Sequence, residues 1–369
     1  MSFHICARKK PKILLTEKGR DVLKIKDNLL SVYQTQKRYD QQEGYSVHNF
    51  HLDKVFGEKD DNDLLYSELF DKNVIDTYSN IFLFTYGETG TGKTHTIFGN
   101  NREAGLFQLL TNSILRYENI NELSGRVFEI YNDKIYDLLN NRKSVILREN
   151  GNAKFCLKGC KKTYITNTED VKDIENKIQN DRVVGETCFN SRSSRSHAIV
   201  QLLVERDNME TQKITIVDLA GSEKASNSIY RDNVLYRENS SINRNLLALK
   251  ECIRSTYMKN SHIPFRNCTL TKVLRSMFQK SSYTIMISTI SSGEKMCKST
   301  LDTLKYASYI KKRNPDNTSK VMKKREINKE RDDCIKKLDK AKKVILYRPQ
   351  NPVDLLELGN DIDKFLEKL

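Results

Sequence analysis

The chain reads Gly87-Glu88-Thr89-Gly90-Thr91-Gly92-Lys93-Thr94 directly after Ile81-Phe82-Leu83-Phe84-Thr85-Tyr86, a short apolar run rich in aromatic and branched residues. The apolar run predicts a buried strand that ends in a glycine turn. The turn has the spacing of a phosphate-binding loop, in which backbone N–H groups converge on phosphate oxygens. The lysine brings a charge to the outer phosphates, and the threonine hydroxyl can bind Mg²⁺. An ordinary glycine-rich turn is the alternative, but the strand before it favours a nucleoside triphosphate site.

Length and composition limit the class of protein. The 369 residues suffice for two domains or for one large domain with an extension, and the second arrangement fits better. The sequence contains no apolar run long enough to predict a transmembrane helix. The first residues lack the basic and apolar blocks of a secretory signal. Eight scattered cysteines are typical of reduced thiols in a cytosolic chain. The net charge of +15 predicts an acidic partner and leaves nucleic acid, anionic lipid and acidic protein open.

Strand and helix patterns alternate along the chain and predict a mainly parallel sheet covered by helices on both faces. Small strands off this sheet are expected between Ile13 and Leu52. The main elements expected are a first strand at Ile5–Ala7, a helix within Asp60–Ser79, a helix from Thr94, a helix at Gly105–Tyr117 and a next strand at Gly125–Tyr131.

Two further clusters follow. One is the hydroxyl-rich run from Asn190 to His197, which on its own is typical of a solvated loop. The other begins with the strand pattern Lys213–Val217 and continues as Asp218-Leu219-Ala220-Gly221-Ser222-Glu223. A carboxylate at a strand end followed by a flexible glycine is typical of enzymes that hold hydrated magnesium and sense the outermost phosphate.

In this order the three clusters resemble those of the kinesin motor domain, and the resemblance runs from about His4 to Lys312. It implies the kinesin form of the P-loop NTPase fold, with ATP and Mg²⁺ as ligands and tubulin as the partner. The expected domains are a motor domain at 1–313 and a charged helical extension at 314–369. The resemblance also implies that Lys93 and Thr94 bind phosphate and magnesium.

The same resemblance assigns roles to the two clusters that follow the loop. Ser193 and Ser194 are expected to reach the γ-phosphate and the metal. Asp218 is expected to hold a metal-bound water, and the Gly221 N–H to detect the γ-phosphate. Arg195 and Glu223 occupy the positions of an ion pair that closes around ATP and orients the attacking water.

The resemblance also concerns residues expected near the adenine and one unusual residue in the phosphate loop. Arg8, Pro11 and His95 fall where the family packs the adenine. Glu88 stands where the family usually has glutamine, and a carboxylate beside phosphates is expected to weaken nucleotide binding unless it points outward or pairs with a cation.

A helical pattern from Ser241 to Arg254, with the segments after it, resembles the surface that kinesins lay against tubulin. A solvated helix face is the alternative that charge alone leaves open. No nucleic-acid-binding module is recognisable in the sequence. The residues expected to contact tubulin are Lys250, Glu251, Arg254, His262, Arg266, Lys272 and Arg275, together with Arg38 and Asp40.

The triplet Lys250-Glu251-Cys252 resembles the thirteenth kinesin class, which depolymerises microtubules. Residues 185–187, Gly-Glu-Thr, resemble that class's Gly-Gln-Thr. Arg38-Tyr39-Asp40 aligns with its Lys-Val-Asp tip but replaces the valine. The class also has a basic neck before the motor, whereas here the first strand pattern begins almost at Met1. Despite these two departures, the Lys250-Glu251-Cys252 triplet favours that class. We predict a depolymerase that acts at filament ends and is located on cytoplasmic microtubules and on the mitotic spindle.

Other functions stay open at this point. A translocating motor would need a neck linker after Ile310, and Lys311–Pro315 resembles one poorly. A non-catalytic microtubule-binding protein and a nucleic-acid-stimulated ATPase are further alternatives. The apolar spacing from Leu355 to Leu369 fits either a short coiled coil, and hence a homodimer, or a helix packed on the motor.

Overall fold

The computed structural model describes residues 2–11, 20–37, 43–117, 119–150, 155–183, 194–207, 210–223, 233–258, 262–279 and 281–312. All of these belong to one compact unit, Met1–Pro315. The remainder of the chain, Asp316–Leu369, lies outside the described residues. The predicted division between residues 313 and 314 therefore stays a prediction.

In the described residues, runs of one to five strands alternate with runs of one or two α-helices, which agrees with the α/β prediction. The strands are β1 (Ser2–Lys9), β2 (Leu23–Lys26), β3 (Leu29–Lys37), β4 (Glu43–His51), β5 (Lys54–Phe56), β6 (Asn80–Tyr86), β7 (Glu122–Tyr131), β8 (Lys134–Asp137), β9 (Lys143–Glu149), β10 (Phe155–Lys158), β11 (Thr163–Tyr164), β12 (His197–Glu205), β13 (Gln212–Asp218) and β14 (Ser282–Ile290). The helices are α1 (Asn62–Leu69), α2 (Lys72–Thr77), α3 (Lys93–Phe98), α4 (Leu106–Ile114), α5 (Thr168–Val183), α6 (Asn233–Tyr257), α7 (Thr269–Val273) and α8 (Cys297–Lys312).

The large sheet places the strand before the phosphate loop near its centre. Its order is β10-β9-β8-β7-β12-β13-β6-β14-β1-β5, with β11 paired to β7. From β13 to β5 all neighbours run parallel, whereas β12 runs antiparallel to both β7 and β13. The mainly parallel core of the predicted fold is confirmed. Gly125–Tyr131, predicted as the next strand, lies within β7, which pairs antiparallel with β8, β11 and β12.

Side chains that alternate along the central strands fill two separate cores. Leu83 and Ile216 are buried on the face covered by α1 to α5. Phe84 and Val217 are buried on the opposite face, which α6, α7 and α8 cover. Because both faces are covered, β6 is apolar throughout from Ile81 to Phe84, as a strand of a parallel sheet requires. The site at its end is thus fixed by packing on both sides.

The small strands predicted between Ile13 and Leu52 form a separate sheet in the order β2-β3-β4. Leu30 and Val32 of β3 are buried in the same core as α8. Tyr45 and Val47 of β4 are instead half exposed, at 51% and 50%. The hairpin pairing reaches Lys37 opposite Glu43, so the predicted tip with Arg38 and Asp40 lies in the segment 38–42, outside the described residues.

The helix expected within Asp60–Ser79 is two helices. Asp61 caps α1 by accepting a hydrogen bond from the Leu64 N–H, and Asp71 caps α2 in the same way from the Asn73 N–H. A capping carboxylate satisfies an N–H that lacks a partner inside the helix, and so defines a new start. In the part of the chain that the structure describes, no helix combines the length and apolar character needed to cross a bilayer.

Candidate functional site

The phosphate loop follows β6 and leads into α3. Gly90 and Gly92 have φ angles of 81° and 100°, a region that L side chains rarely adopt, and Gly92 caps α3. The Lys93 ammonium is buried and donates to the carbonyl oxygens of Gly87 at 3.0 Å and Glu88 at 2.9 Å. The loop is therefore closed around the amine that the sequence assigns to the outer phosphates.

Oxygen donors suited to Mg²⁺ meet beside the loop. The Thr94 hydroxyl donates to the Asp218 carboxylate over 2.7 Å, and the Thr85 hydroxyl contacts the other carboxylate oxygen at 3.4 Å. A hydroxyl and a carboxylate are hard ligands of the kind Mg²⁺ prefers, and Asp218 is almost fully buried. The residues present therefore fit a magnesium–nucleotide complex, in which the Thr94 hydroxyl would contact the metal and Asp218 would hold a metal-bound water.

The segment after β13 is joined directly to the loop and to the hydroxyl cluster. The Gly221 N–H donates to the Ser194 carbonyl at 2.9 Å, and the Ser222 N–H donates to the Gly87 carbonyl at 3.0 Å. The group predicted to detect the γ-phosphate thus has a backbone partner in this structure. Ser193, the other serine predicted to reach the γ-phosphate, lies outside the described residues.

The expected partners Arg195 and Glu223 make different contacts here. The Glu223 carboxylate accepts from the Thr89 N–H at 3.0 Å and from the Thr89 hydroxyl. Arg195 pairs with Glu238 of α6 at 3.0 Å, and the Tyr131 hydroxyl also bonds to Glu238. Glu238 is only 7% exposed, and a buried carboxylate needs a charged or hydrogen-bonding partner, which explains why it holds the arginine.

Two of the residues expected on the adenine side, Arg8 and His95, lie in one polar cluster around Glu103. The Arg8 guanidinium donates to the side chains of Asn62 at 2.5 Å and Thr96 at 2.8 Å, and lies 3.7 Å from Glu103. His95 is 3.1 Å from the same carboxyl group, and burial, with the nearby guanidinium, lowers the pKa of His95. Arg8 and His95 are therefore brought together.

The structure also gives the solvent exposure of Pro11 and Glu88, two more residues predicted to lie near the nucleotide. Pro11 is exposed just beyond the end of β1. Glu88 is half buried, and its carbonyl oxygen accepts from Lys93. The predicted effect of the Glu88 carboxylate on nucleotide affinity stays a prediction.

Helix α6 and the segment after it present a mixed surface, which we call the α6 surface. It is made of the exposed residues Leu247, Arg254, Met258, His262 and Arg266, which are part of the solvent-facing side of this stretch. Leu247 is 56% and Met258 48% exposed, so two apolar side chains lie among the cations. Arg266 is anchored by Glu149 of β9 at 2.6 Å. Three of the predicted tubulin contacts therefore face solvent.

The other predicted tubulin contacts are less exposed. Glu251 and Lys272 are half buried, and the Arg275 guanidinium lies 4.7 Å from the centre of the Phe265 ring. The Lys250 ammonium lies over two tyrosine rings, 5.2 Å from Tyr86 and 4.8 Å from Tyr306. Lys250 thus packs inward, toward the sheet and α8, because cations are attracted to the faces of aromatic rings.

Sequence reasoning missed the acidic residues that hold the site's arginines. Glu103 bonds to the Arg8 cluster, and Glu238 binds Arg195. No local pattern marks either position, since each is brought to its partner by the fold. Asn62 carries a weak signal only, because it begins a helix after two aspartates.

A phosphate loop on the central strand, with a strand-end carboxylate bonded to its threonine, defines a P-loop nucleotide-binding domain. The family model described as the kinesin motor domain matches residues 8–313. The chain belongs to the kinesin motor-domain family, which confirms the family predicted from the sequence.

Two of the similar proteins are kinesin-like proteins named KIN-13. The chain is 35% identical over 331 residues to the kinesin-like protein KIN-13B of Arabidopsis thaliana, covering 86% of this chain and 48% of that protein. It is 34% identical over 333 residues to KIN-13A of Oryza sativa subsp. japonica, covering 83% and 40%. The chain therefore spans about half or less of these relatives.

A solved structure agrees with the fold. A KIF14 dimer in its two-heads-bound state, with AMP-PNP and in complex with a microtubule, matches with a TM-score of 0.72 and 26% identity. The match covers 84% of this chain and 93% of that one.

Proposed function

We propose that this chain is a tubulin-stimulated ATPase that uses ATP hydrolysis to remove tubulin from microtubule ends. The observation that carries the ATPase is the contact of Thr94 with Asp218 beside the buried Lys93. These groups come from the loop and from the neighbouring strand, and both are needed to bind a triphosphate with its metal. The α6 surface, on the other side of the sheet, supplies the cations for an acidic filament.

Hydrolysis in this proposal depends on positioning and charge. Lys93 neutralises the outer phosphates. Thr94 and, through a water, Asp218 would hold Mg²⁺, which would offset the charge that develops during phosphoryl transfer. Closing of Ser194, Gly221 and Glu223 toward the phosphates orients the attacking water. Because positioning can suffice for transfer to water, a histidine base is not required.

Depolymerisation is the finer part of the proposal. The Lys250-Glu251-Cys252 triplet and the two relatives named KIN-13 support it. In this mechanism the ATP-bound state prefers curved tubulin, so that binding energy bends the filament end. Arg38 and Asp40 reach between tubulin subunits. We further propose a place on cytoplasmic and spindle microtubules, and pairing of chains through residues 355–369.

The test follows the length of stabilised, surface-attached microtubules with this protein in ATP and in a non-hydrolysable analogue. Shrinkage from the ends is expected. Arg38→Ala and Asp40→Ala should reduce shrinkage while leaving stimulated turnover measurable. Lys24→Ala, an exposed change in β2 away from the tip, is the matched control. Constant length under all conditions would refute depolymerisation.

A translocating motor is the second candidate, because the match to the kinesin motor domain over residues 8–313 does not distinguish it from a depolymerase. The same assay separates the two functions, since a translocating motor makes filaments glide at constant length. Absence of ATP turnover would instead leave a non-catalytic microtubule-binding protein. Stimulation by DNA in place of tubulin would indicate a nucleic-acid partner.

A further inference from the structure

Lys250 occupies an unusual place for a residue on a tubulin-facing helix. Its ammonium lies 5.2 Å from the ring centre of Tyr86 and 4.8 Å from that of Tyr306. The two rings contact each other, with centroids 5.2 Å apart. One cation therefore joins three elements, α6, β6 and α8, through a compact aromatic cluster.

Tyr86 connects this cluster to the nucleotide loop. It is the last residue of β6, is 5% exposed and directly precedes Gly87. The Gly87 carbonyl accepts hydrogen bonds from the Lys93 ammonium and the Ser222 N–H, each at 3.0 Å. A displacement of Tyr86 would thus move an atom that contacts both the phosphate-binding lysine and the segment after Asp218.

The region around this contact is tightly packed. A methyl group added at Gly87 would overlap the Thr289 carbonyl oxygen of β14. Close-packed interiors transmit small shifts because they have no free volume to absorb them. A movement of α6 at Lys250 is therefore expected to reach the loop, and a movement of the loop to reach α6.

We propose that Lys250 couples the α6 surface to the phosphate loop through Tyr86 and Tyr306 and is a positioning residue, not a tubulin contact. The inference rests on the proposed function, since it concerns how tubulin and nucleotide influence each other. Such coupling is reciprocal and is measured as a ratio of affinities. Arg254, one turn along α6 and exposed, is the matched residue for direct tubulin contact.

The test measures the microtubule dissociation constant of the full chain in ADP and in AMP-PNP. Lys250→Met should bring the ratio of the two constants closer to one, by about five- to tenfold. Tyr306→Leu should do the same, and the double variant should add little. Lys250→Arg, which retains a cation, should keep most of the ratio. Arg254→Met should weaken binding equally in both nucleotides and leave the ratio unchanged.

The outcomes separate the two proposals. If Lys250→Met weakens binding equally in both nucleotides, Lys250 is a tubulin contact and the coupling is refuted. If the wild-type chain shows neither microtubule binding nor stimulated turnover, the proposed function fails. A double-mutant cycle on thermal unfolding then still tests the contact, since additive effects of Lys250→Met and Tyr306→Leu would refute it.

Discussion

At the scale of a single residue, Glu223 contacts Thr89 in this structure and is expected to pair with Arg195 around ATP. Its carboxylate accepts from the backbone and hydroxyl of Thr89, on the loop between β6 and α3. Arg195, its expected partner, is held by Glu238. The proposed Arg195–Glu223 pair would therefore compete with the Arg195–Glu238 pair and with the contact of Glu223 to Thr89.

Replacing this carboxylate should separate binding from hydrolysis. We expect Glu223→Ala to bind ATP with near-normal affinity and to hydrolyse it about a hundredfold more slowly, because the attacking water is no longer positioned. Nucleotide titration and stimulated turnover measure the two effects, with the exposed Glu169→Ala as control. Near-normal turnover with microtubules present would contradict the prediction.

Gly221 supports Glu223 by leaving room for it. A methyl group at Gly221 would overlap the Glu223 carboxylate and the Thr89 hydroxyl. Both are the ends of flexible side chains, so we expect Gly221→Ala to lower turnover by about tenfold or more with little change in melting temperature. A large loss of thermal stability, with turnover per folded molecule unchanged, would show that the glycine serves folding instead.

Local sequence identified the residues of the loop and of the Asp218 segment because their spacing is fixed by covalent geometry. It could not identify their partners. Glu238 reaches Arg195, and Glu103 reaches Arg8, only after distant elements pack. The inward direction of Lys250 was likewise hidden, since helical spacing gives neighbours on a helix but not which side packs against the sheet.

At the scale of an element, β13 carries a charge in an unfavourable place. Burial, with the nearby Arg126, lowers the pKa of Lys213 to about 8 from its usual 10.5. Between these pKa values the unfolded chain binds more protons than the folded chain, so the free energy of unfolding rises with pH across that window. Below it the buried ammonium lowers stability in full.

Removing the charge should therefore stabilise the domain. We expect Lys213→Met to raise the free energy of unfolding by about 1–3 kcal/mol at about pH 7, with a smaller gain near pH 10. Urea unfolding at the two pH values measures this change, and Lys161→Met, which removes an exposed ammonium, is the control. An equal gain at both pH values would show that packing, not charge, is responsible.

The elements themselves were largely predictable because strand and helix periods differ. The parallel strands and the small separate sheet follow the predicted pattern. The direction of β7 could not be predicted, because an isolated strand pattern carries no information on which way its neighbours run. The break between α1 and α2 could have been found from Asp71, a residue that caps helices well.

At the scale of the whole molecule, charge and apolar surface act together. The chain has a net charge of +15, yet the α6 surface includes exposed Leu247 and Met258. Attraction between exposed charges is screened by salt, whereas apolar burial is not. Microtubule binding should therefore consist of a salt-sensitive part and a salt-resistant part.

Salt titration can separate these parts. Raising the salt concentration from about 50 to about 200 mM should weaken microtubule binding about tenfold. Arg254→Met should reduce this dependence, while Leu247→Ala should lower affinity and leave the salt dependence unchanged. Co-pelleting at several salt concentrations measures both slopes. Equal slopes for all three proteins would refute the division.

The length of the β3–β4 hairpin determines how far its strand pairing extends toward residues 38–42. Each strand has nine residues, at roughly 3.4 Å per residue, and the pairing ends with Lys37 opposite Glu43. Adding two residues to each strand would move residues 38–42 outward by about 7 Å and keep every side chain on its face. Adding one residue to each strand would lengthen the hairpin by about 3.4 Å and reverse the face only for residues beyond the insertion. The β3–β4 hairpin can therefore be lengthened without changing the face of any side chain only in steps of two residues per strand.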